Sequence, residues 1–346
     1  MKYKKLGRTD LKVSTICLGT MTWGRQNTLE EGHSQMNYAI DQGVNFFDTA
    51  EMYAVPPTPE TYGKTETIIG EWFTNTGKRH DIVLASKVAG AGMPWVRGGD
   101  YKIDRKNILE AIEESLKRLQ TDYIDLYQLH WPNREFYHFG HHWAHKAAFS
   151  PQEQEENFIE VLETLDELVR SGKIRHAGLS NETAWGTMKY LQLAEKHGLP
   201  RVVSIQNEYS LLYRLFEPDL MEVSLSEDVG LLAYSPLGGG MMNGKYLDGA
   251  RPSGTRWAID ERPLHRDTPE ADKAIREYIA VAEKHGLDVC QMALAFVNAQ
   301  PFVTSNIIGA TSMEQLKSNI ASIDIMLSSE CMKDIADTRR KFPMAY

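Results

Sequence analysis

The stretch DRKNILEAIEESLKRLQTDYIDLYQLH, residues 104–130, carries the fold in miniature. Asp104 is a good N-cap, because its carboxylate can accept from the N–H groups that open a helix. An amphipathic run follows to Leu119, and residues 123–130 then form an apolar, strand-like run ended by His130. The same alternation extends in both directions. Upstream lie strand-like runs at 14–18, 44–47 and 82–86, with helical runs at 30–42 and 66–75 between them. Gly43 fits a helix stop. Downstream come a helix at 157–170, a strand at 174–179 and a helix at 183–197 ended by Gly198. A strand at 202–206, a short helix at 218–225 and a strand at 230–234 follow. Helices at 269–285 and 289–298, a strand at 304–308 and a helix at 312–322 complete the pattern, and 328–342 reads as an appended C-terminal helix.

That makes eight strand–helix units. Strands written as continuous apolar runs are buried on both faces, and helices between them imply parallel pairing. Eight such units fit an α/β (β/α)8 TIM barrel better than an open sheet wound on both sides of a switch point. The 346 residues suit a barrel with insertions, and no linker rich in Pro, Gly or Ser divides the chain, so 1–346 reads as one domain. Two loops, 131–156 and 237–268, are too long for plain connectors. Both follow a strand and therefore belong to the C-terminal face, where barrel active sites lie.

Composition narrows the function. The net charge of −9 makes a poor partner for nucleic acid or an anionic membrane surface. Three widely spaced cysteines (Cys17, Cys290 and Cys331) argue for a reducing compartment and against a disulfide framework or zinc ribbon. There is no apolar h-region at the start and no run of about 20 apolar residues, so the expected location is cytoplasmic.

Polar residues stand at the ends of successive apolar strands. Asp48 follows the 44–47 run, with Tyr53 five positions on; Lys87 follows 82–86; His130 ends the third. In a barrel all four point into one bowl. A phenol ordinarily titrates near about 10. A neighbouring ammonium favours the phenolate, which makes Tyr53 a better proton donor near neutrality. Lys87 can supply that ammonium if Asp48 pairs with it, and His130 can hydrogen-bond the reacting oxygen. Singly, each residue is more ordinarily a cap, a surface group or packing. Four complementary types on three consecutive strand ends form the convergence that acid–base chemistry needs.

The motifs resemble those of the aldo-keto reductases. GVNFFDTAEMY (43–53), ASKV (85–88), LYQLHWP (126–132), LSN (179–181), IQNEYSLL (205–212), AYSPLGGGMMNGKY (233–246) and GATSMEQLKSN (309–319) occur in family order over nearly the whole chain. AEMYAVPPTPET (50–61) is similar to a bacterial NADP(H)-dependent branch. The resemblance implies a catalytic tetrad of Asp48, Tyr53, Lys87 and His130, with Tyr53 as proton donor. It also implies hydride transfer from a nicotinamide to the carbonyl of a small aldehyde or ketone. Ser180, Asn181 and Gln206 would hold the nicotinamide carboxamide, and Tyr234 would stack on its ring. The segment Ser235, Pro236, Leu237, Gly238, Gly239, Gly240, Met241, Met242, Asn243, Gly244 and Lys245 would bind the cofactor, with Gly238, Gly239 and Gly240 letting backbone N–H groups approach the pyrophosphate closely. Gly309, Thr311, Gln315 and Asn319 would form the adenosine-phosphate site, at a helix N-terminus that suits an anion. Family members that take a 2′-phosphate place Lys and Arg there; here Gly309 and Gln315 stand instead, leaving Thr311, Ser312, Lys245 or Arg256 for NADPH, with NADH the less favoured cofactor.

The histidines of the first long loop, His138, His141, His142 and His145, match no metal-ligand spacing, so no metal is expected and solvated side chains are. Their aromatic neighbours Trp131, Phe136, Tyr137, Phe139 and Trp143 suit either an apolar substrate cleft or plain packing. Two other functions compete with a reductase: a nicotinamide-binding regulatory subunit, and a barrel hydrolase or isomerase without nicotinamide.

Overall fold

A computed structural model describes residues 1–99, 101–259 and 265–346. The chain opens with a hairpin, β1 (Tyr3–Lys5) paired antiparallel with β2 (Lys12–Ser14). Eight strands then close a parallel barrel among the described residues: β3 (Ile16–Gly19), β4 (Phe46–Asp48), β5 (Val83–Val88), β6 (Ile124–Leu129), β7 (Ile174–Ser180), β8 (Ser204–Glu208), β9 (Gly230–Tyr234) and β10 (Val303–Ile308). β10 pairs with β3 and closes the ring. This is the TIM barrel that the alternating runs imply.

The crossovers are helical. They are α1 (Leu29–Asp41), α2 (Lys64–Thr76), α3 (Arg105–Leu119), α4 (Pro151–Arg170), α5 (Ala184–His197) and α6 (Asp219–Glu227). α7 (Arg256–Ile259), α8 (Pro269–Lys284) and α9 (Val289–Asn298) follow β9, α10 (Met313–Ala321) follows β10, and α11 (Ser329–Lys341) is the appended helix. Their ends obey local chemistry. Thr28 and Glu31 form a reciprocal capping box on α1, Asp104 accepts from Asn107 N on α3, and Gly198 ends α5 in the left-handed region. α4 starts at Pro151 behind the cap Ser150, six residues earlier than the apolar periodicity suggests, so the first long loop is 131–150. Part of the second, 260–264, lies outside the described residues.

Two cores result. One fills the space between strands and helices. The other fills the barrel, where Cys17, Phe46, Val83, Ala85, Leu126, Val203, Leu232 and Ile307 meet Leu6 and Val13 of the hairpin segment. The hairpin was not foreseen. It carries two buried apolar side chains that plug the N-terminal end, and strand 14–18 divides accordingly, with Ser14 in β2 and Ile16 starting β3. With the bottom sealed, the C-terminal rim is left as the face on which β4–β6 deliver the polar residues.

Candidate active site

Asp48 is the last residue of β4, Lys87 the fifth of β5, and His130 follows β6 directly. Lys87 is fully buried, and its ammonium finds three acceptors: Asp48 Oδ2 at 2.7 Å, Thr49 O at 2.8 Å and Tyr53 Oη at 3.4 Å. Three N–H donors and three acceptors make a closed account. Burial alone would lower the Lys87 pKa, but Asp48 and Tyr53 outweigh it and the net shift is upward, so Lys87 stays charged.

Tyr53 corrects one expectation. Lys87 does pull its pKa down, but burial pushes it up more strongly and Asp48 adds to the rise, so the phenol ends above its ordinary value. The site keeps Tyr53 protonated and surrounds it with a cation that becomes more valuable once the proton leaves. His130 lies edge-on to Tyr53, 5.8 Å between ring centroids. Burial and the nearby Lys87 charge hold it well below its usual pKa, so its imidazole is neutral. Its Nδ1 is buried with no hydrogen-bond partner among the described residues.

The residues assigned to the carboxamide are bonded to this tetrad through Asp48 and His130. Gln206 donates to Asp48 Oδ1 at 2.8 Å, and Ser180 Oγ donates to the Gln206 carbonyl at 2.9 Å. Asn181 donates to Ser180 Oγ at 3.1 Å and to the His130 carbonyl at 2.9 Å, and Tyr234 Oη donates to Asn181 Oδ1 at 2.7 Å. These four and the tetrad form one network at the ends of β4–β9. Buried amide, hydroxyl and aromatic groups beside an acid fit a planar carboxamide-bearing ring.

The segments expected to meet phosphates lie on the loops after β9 and β10. Gly238, Gly239 and Gly240 all have positive φ, which L side chains rarely adopt. The Lys245 ammonium lies over Gly240, so a Cβ there would come within 3.3 Å of it. The Gly238 and Gly240 N–H groups donate to Ser235 O and Leu237 O within the turn, so the Gly239 N–H and the Lys245 cation are what this loop offers an anion. Pro236, Met241 and Met242 are buried, the two methionines in the core, and the Met242 N–H and Met241 carbonyl are spent on Leu237 O and Gly244 N; Leu237 packs on that core, Ser235 and Gly244 are half-buried, and Asn243 is exposed. Past β10, Gln315 accepts from Thr311 N at 2.9 Å and Asn319 donates to Gly309 O at 3.0 Å. Nothing would touch a Cβ at Gly309, so this position is open on the surface.

Several structured groups were not legible as a site. Glu51 is buried against Arg97, with both guanidinium contacts under 3 Å, and accepts from Tyr62 Oη and Ala89 N. It thereby ties the segment after β4 to the loop after β5. Glu182, just past Asn181, is gripped by Arg134. Glu208, the last residue of β8, accepts from Arg266 at 2.7 and 3.0 Å and from Tyr346 Oη at 2.8 Å. Tyr346 stacks on Tyr213, and His142 meets its carbonyl at 3.0 Å, so three distant segments are joined above Tyr234. The readable signal is an acidic residue at or just past the strand end; the partners are 11 to 138 positions away.

The histidine loop is less solvated than its composition suggests. Trp131 packs on His130 with 4.8 Å between ring centroids and Phe139 meets Trp131 edge-on, although Phe139, like Trp143, is exposed. Among the described residues no His, Cys, Asp or Glu cluster could hold a metal. His138 is buried, and that burial lowers its pKa to about 3. The unfolded chain takes up this proton near about pH 6.5 and the folded chain does not. The stability this contributes is complete above that pH and is lost, at about 1.4 kcal/mol per pH unit, as pH falls toward 3. A His138→Asn variant should therefore show a flatter decline of urea midpoint between pH 6.5 and 4; a slope equal to that of the parent would contradict it.

A closed parallel barrel thus carries a buried Lys87–Asp48 pair beside the Tyr53 phenol at its C-terminal rim. The aldo/keto reductase family model matches residues 15–340. The chain is 49% identical over 340 residues to "Protein tas" of Escherichia coli (strain K12), covering 97% of this chain and 96% of that one. It is 34% identical over 345 residues to the "Uncharacterized oxidoreductase YrpG" of Bacillus subtilis (strain 168), covering 97% and 95%. It is also 29% identical over 357 residues to a "Probable voltage-gated potassium channel subunit beta" of Arabidopsis thaliana, covering 100% of both. The chain belongs to the aldo/keto reductase family.

Proposed function

We propose that this protein is an NADPH-dependent carbonyl reductase in which Tyr53 is the general acid. The observation that carries the reading is the single network joining Lys87, Asp48 and Tyr53 to Gln206, Asn181, Ser180 and Tyr234. A bound reduced nicotinamide would supply the hydride to the carbonyl carbon. Tyr53 gives its proton to the carbonyl oxygen as negative charge develops there. Lys87 stabilises the phenolate left behind, and Asp48 keeps Lys87 charged. Neutral His130 orients the oxygen by hydrogen bonding. Trp131 and Phe139 supply an apolar wall that suits aldehydes and small ketones. The reading places the enzyme in the cytoplasm, with a small molecule as its partner. No described helix is long and apolar enough to cross a membrane.

The test is a fluorescence titration with NADPH and NADH, followed by NADPH oxidation over an aldehyde and ketone panel. Tight NADPH binding with turnover supports the reading; binding of neither cofactor would remove it. The similarity to potassium-channel β subunits favours a second reading, a nicotinamide-binding regulatory subunit. Cofactor binding without turnover, together with a stoichiometric protein partner, would select that one.

The open surface at Gly309 gives a further prediction. An Arg introduced there by Gly309→Arg meets no steric conflict and has no left-handed backbone to strain. A charge-assisted contact at an exposed site is worth about 1 kcal/mol. NADPH affinity should rise about fivefold with NADH affinity unchanged; an equal change for both cofactors would place the 2′-phosphate elsewhere.

A further inference from the structure

Gln128 is a fully buried amide in the middle of an otherwise mostly apolar strand, β6. A buried amide must find partners or cost stability. Its neighbours in the barrel are Lys87 on β5 and Gly178 on β7. A Cβ at Gly178 would come within 3.2 Å of Gln128 Cγ, so the small residue on β7 makes the room this side chain occupies.

The partners define a triangle. Gln128 Nε2 donates to Asp48 Oδ1 at 3.3 Å, Gln206 Nε2 donates to the same oxygen at 2.8 Å, and Gln206 Nε2 also donates to Gln128 Oε1 at 3.2 Å. An ionised carboxylate only accepts, so it forces the NH₂ end of both glutamines toward Asp48. Both N–H groups of Gln206 are then used. Its Oε1 is left as an acceptor, which complements the N–H of a carboxamide. Without Gln128, one Gln206 N–H would lose its acceptor and the amide would be free to turn.

We infer that Gln128 is a positioning residue that locks the Gln206 amide against Asp48, so that Gln206 presents only its oxygen to the nicotinamide carboxamide. This couples cofactor recognition to the Asp48–Lys87 pair. The inference rests on the cofactor site proposed above and adds to it a residue that never touches the cofactor.

Two variants test it, with NADPH as the probe. Gln128→Met keeps an unbranched side chain of similar length but makes no hydrogen bonds. It should weaken NADPH binding by about tenfold, the effect of one hydrogen bond, and raise the KM for NADPH similarly, with kcat changed less. Gln128→Glu carries a signature that packing cannot produce. As a neutral acid it can donate to Asp48 and accept from Gln206, as the glutamine does. As a carboxylate it repels Asp48. The charged and titratable groups nearest it are Asp48 on β4 and Lys87 on β5, with Tyr53 and the Cys17 thiol beside those two. NADPH affinity of Gln128→Glu should approach that of the parent at low pH and fall as pH rises, relative to the parent's own profile. Affinity of Gln128→Met within twofold of the parent would overturn the inference. So would a Gln128→Glu affinity that tracks the parent across pH, which still decides the question if Gln128→Met fails to fold. In both of those cases the parent binds NADPH and the proposed function stands. A parent that binds no NADPH would sink the site reading and this inference together.

Discussion

Tyr53→Phe should lower kcat for carbonyl reduction by roughly 10²- to 10⁴-fold, the usual contribution of a positioned general acid. The change removes one oxygen from a side chain that is already buried, and Phe fills the same ring volume. Lys87 loses its weakest contact, 3.4 Å, and keeps Asp48 and Thr49. The carboxamide residues bond to Asp48, His130 and one another and not to the phenol, so the NADPH dissociation constant should stay within about twofold. Steady-state rates with a fluorescence titration on the same sample check both halves. Full turnover in this variant would dismiss Tyr53 as the donor. Lost binding would mean that the substitution disturbed the bowl.

Lys87→Met should be the most destabilising single change at the site. It leaves the Asp48 carboxylate buried with two amide donors and no cation. Breaking a buried pair from one side costs about 3–5 kcal/mol, because the remaining charge has lost its counter-ion without regaining water. The urea midpoint should fall by that equivalent with an unchanged m value. Adding Asp48→Asn should restore much of the loss, since the orphaned charge is gone, while activity stays absent. A single-variant loss under about 1 kcal/mol would mean that water reaches Asp48 and that the pair is less desolvated than its burial indicates.

The sequence carried the barrel for local reasons. Parallel strands covered on both faces are continuous apolar runs, and caps such as Thr28, Asp104 and Thr183 mark where helices begin. The elements it missed have weak local signals. β1 and β2 are three residues each and rich in lysine, and they matter because Leu6 and Val13 meet a barrel interior built from distant strands. The first turn of α4 carries glutamine and glutamate where an apolar stripe was sought, although Ser150-Pro151 was a legible start. His138 read as a solvated loop residue because nothing local shows what covers it.

The site divides in the same way. That an acid, a phenol, an ammonium and an imidazole share one rim follows from their places at strand ends, since parallel strands in a closed sheet deliver those ends to one face. The sequence by itself determined that assembly and the family. Only the tertiary structure decided the balance of forces within it. The Tyr53 pKa rises because desolvation exceeds the pull of Lys87, and desolvation depends on what surrounds a group and not on its sequence neighbours. Gln128, Glu208 and Arg134 acquire roles only through partners on other strands and loops, because a hydrogen bond needs contact within about 3 Å, which spacing along the chain cannot specify.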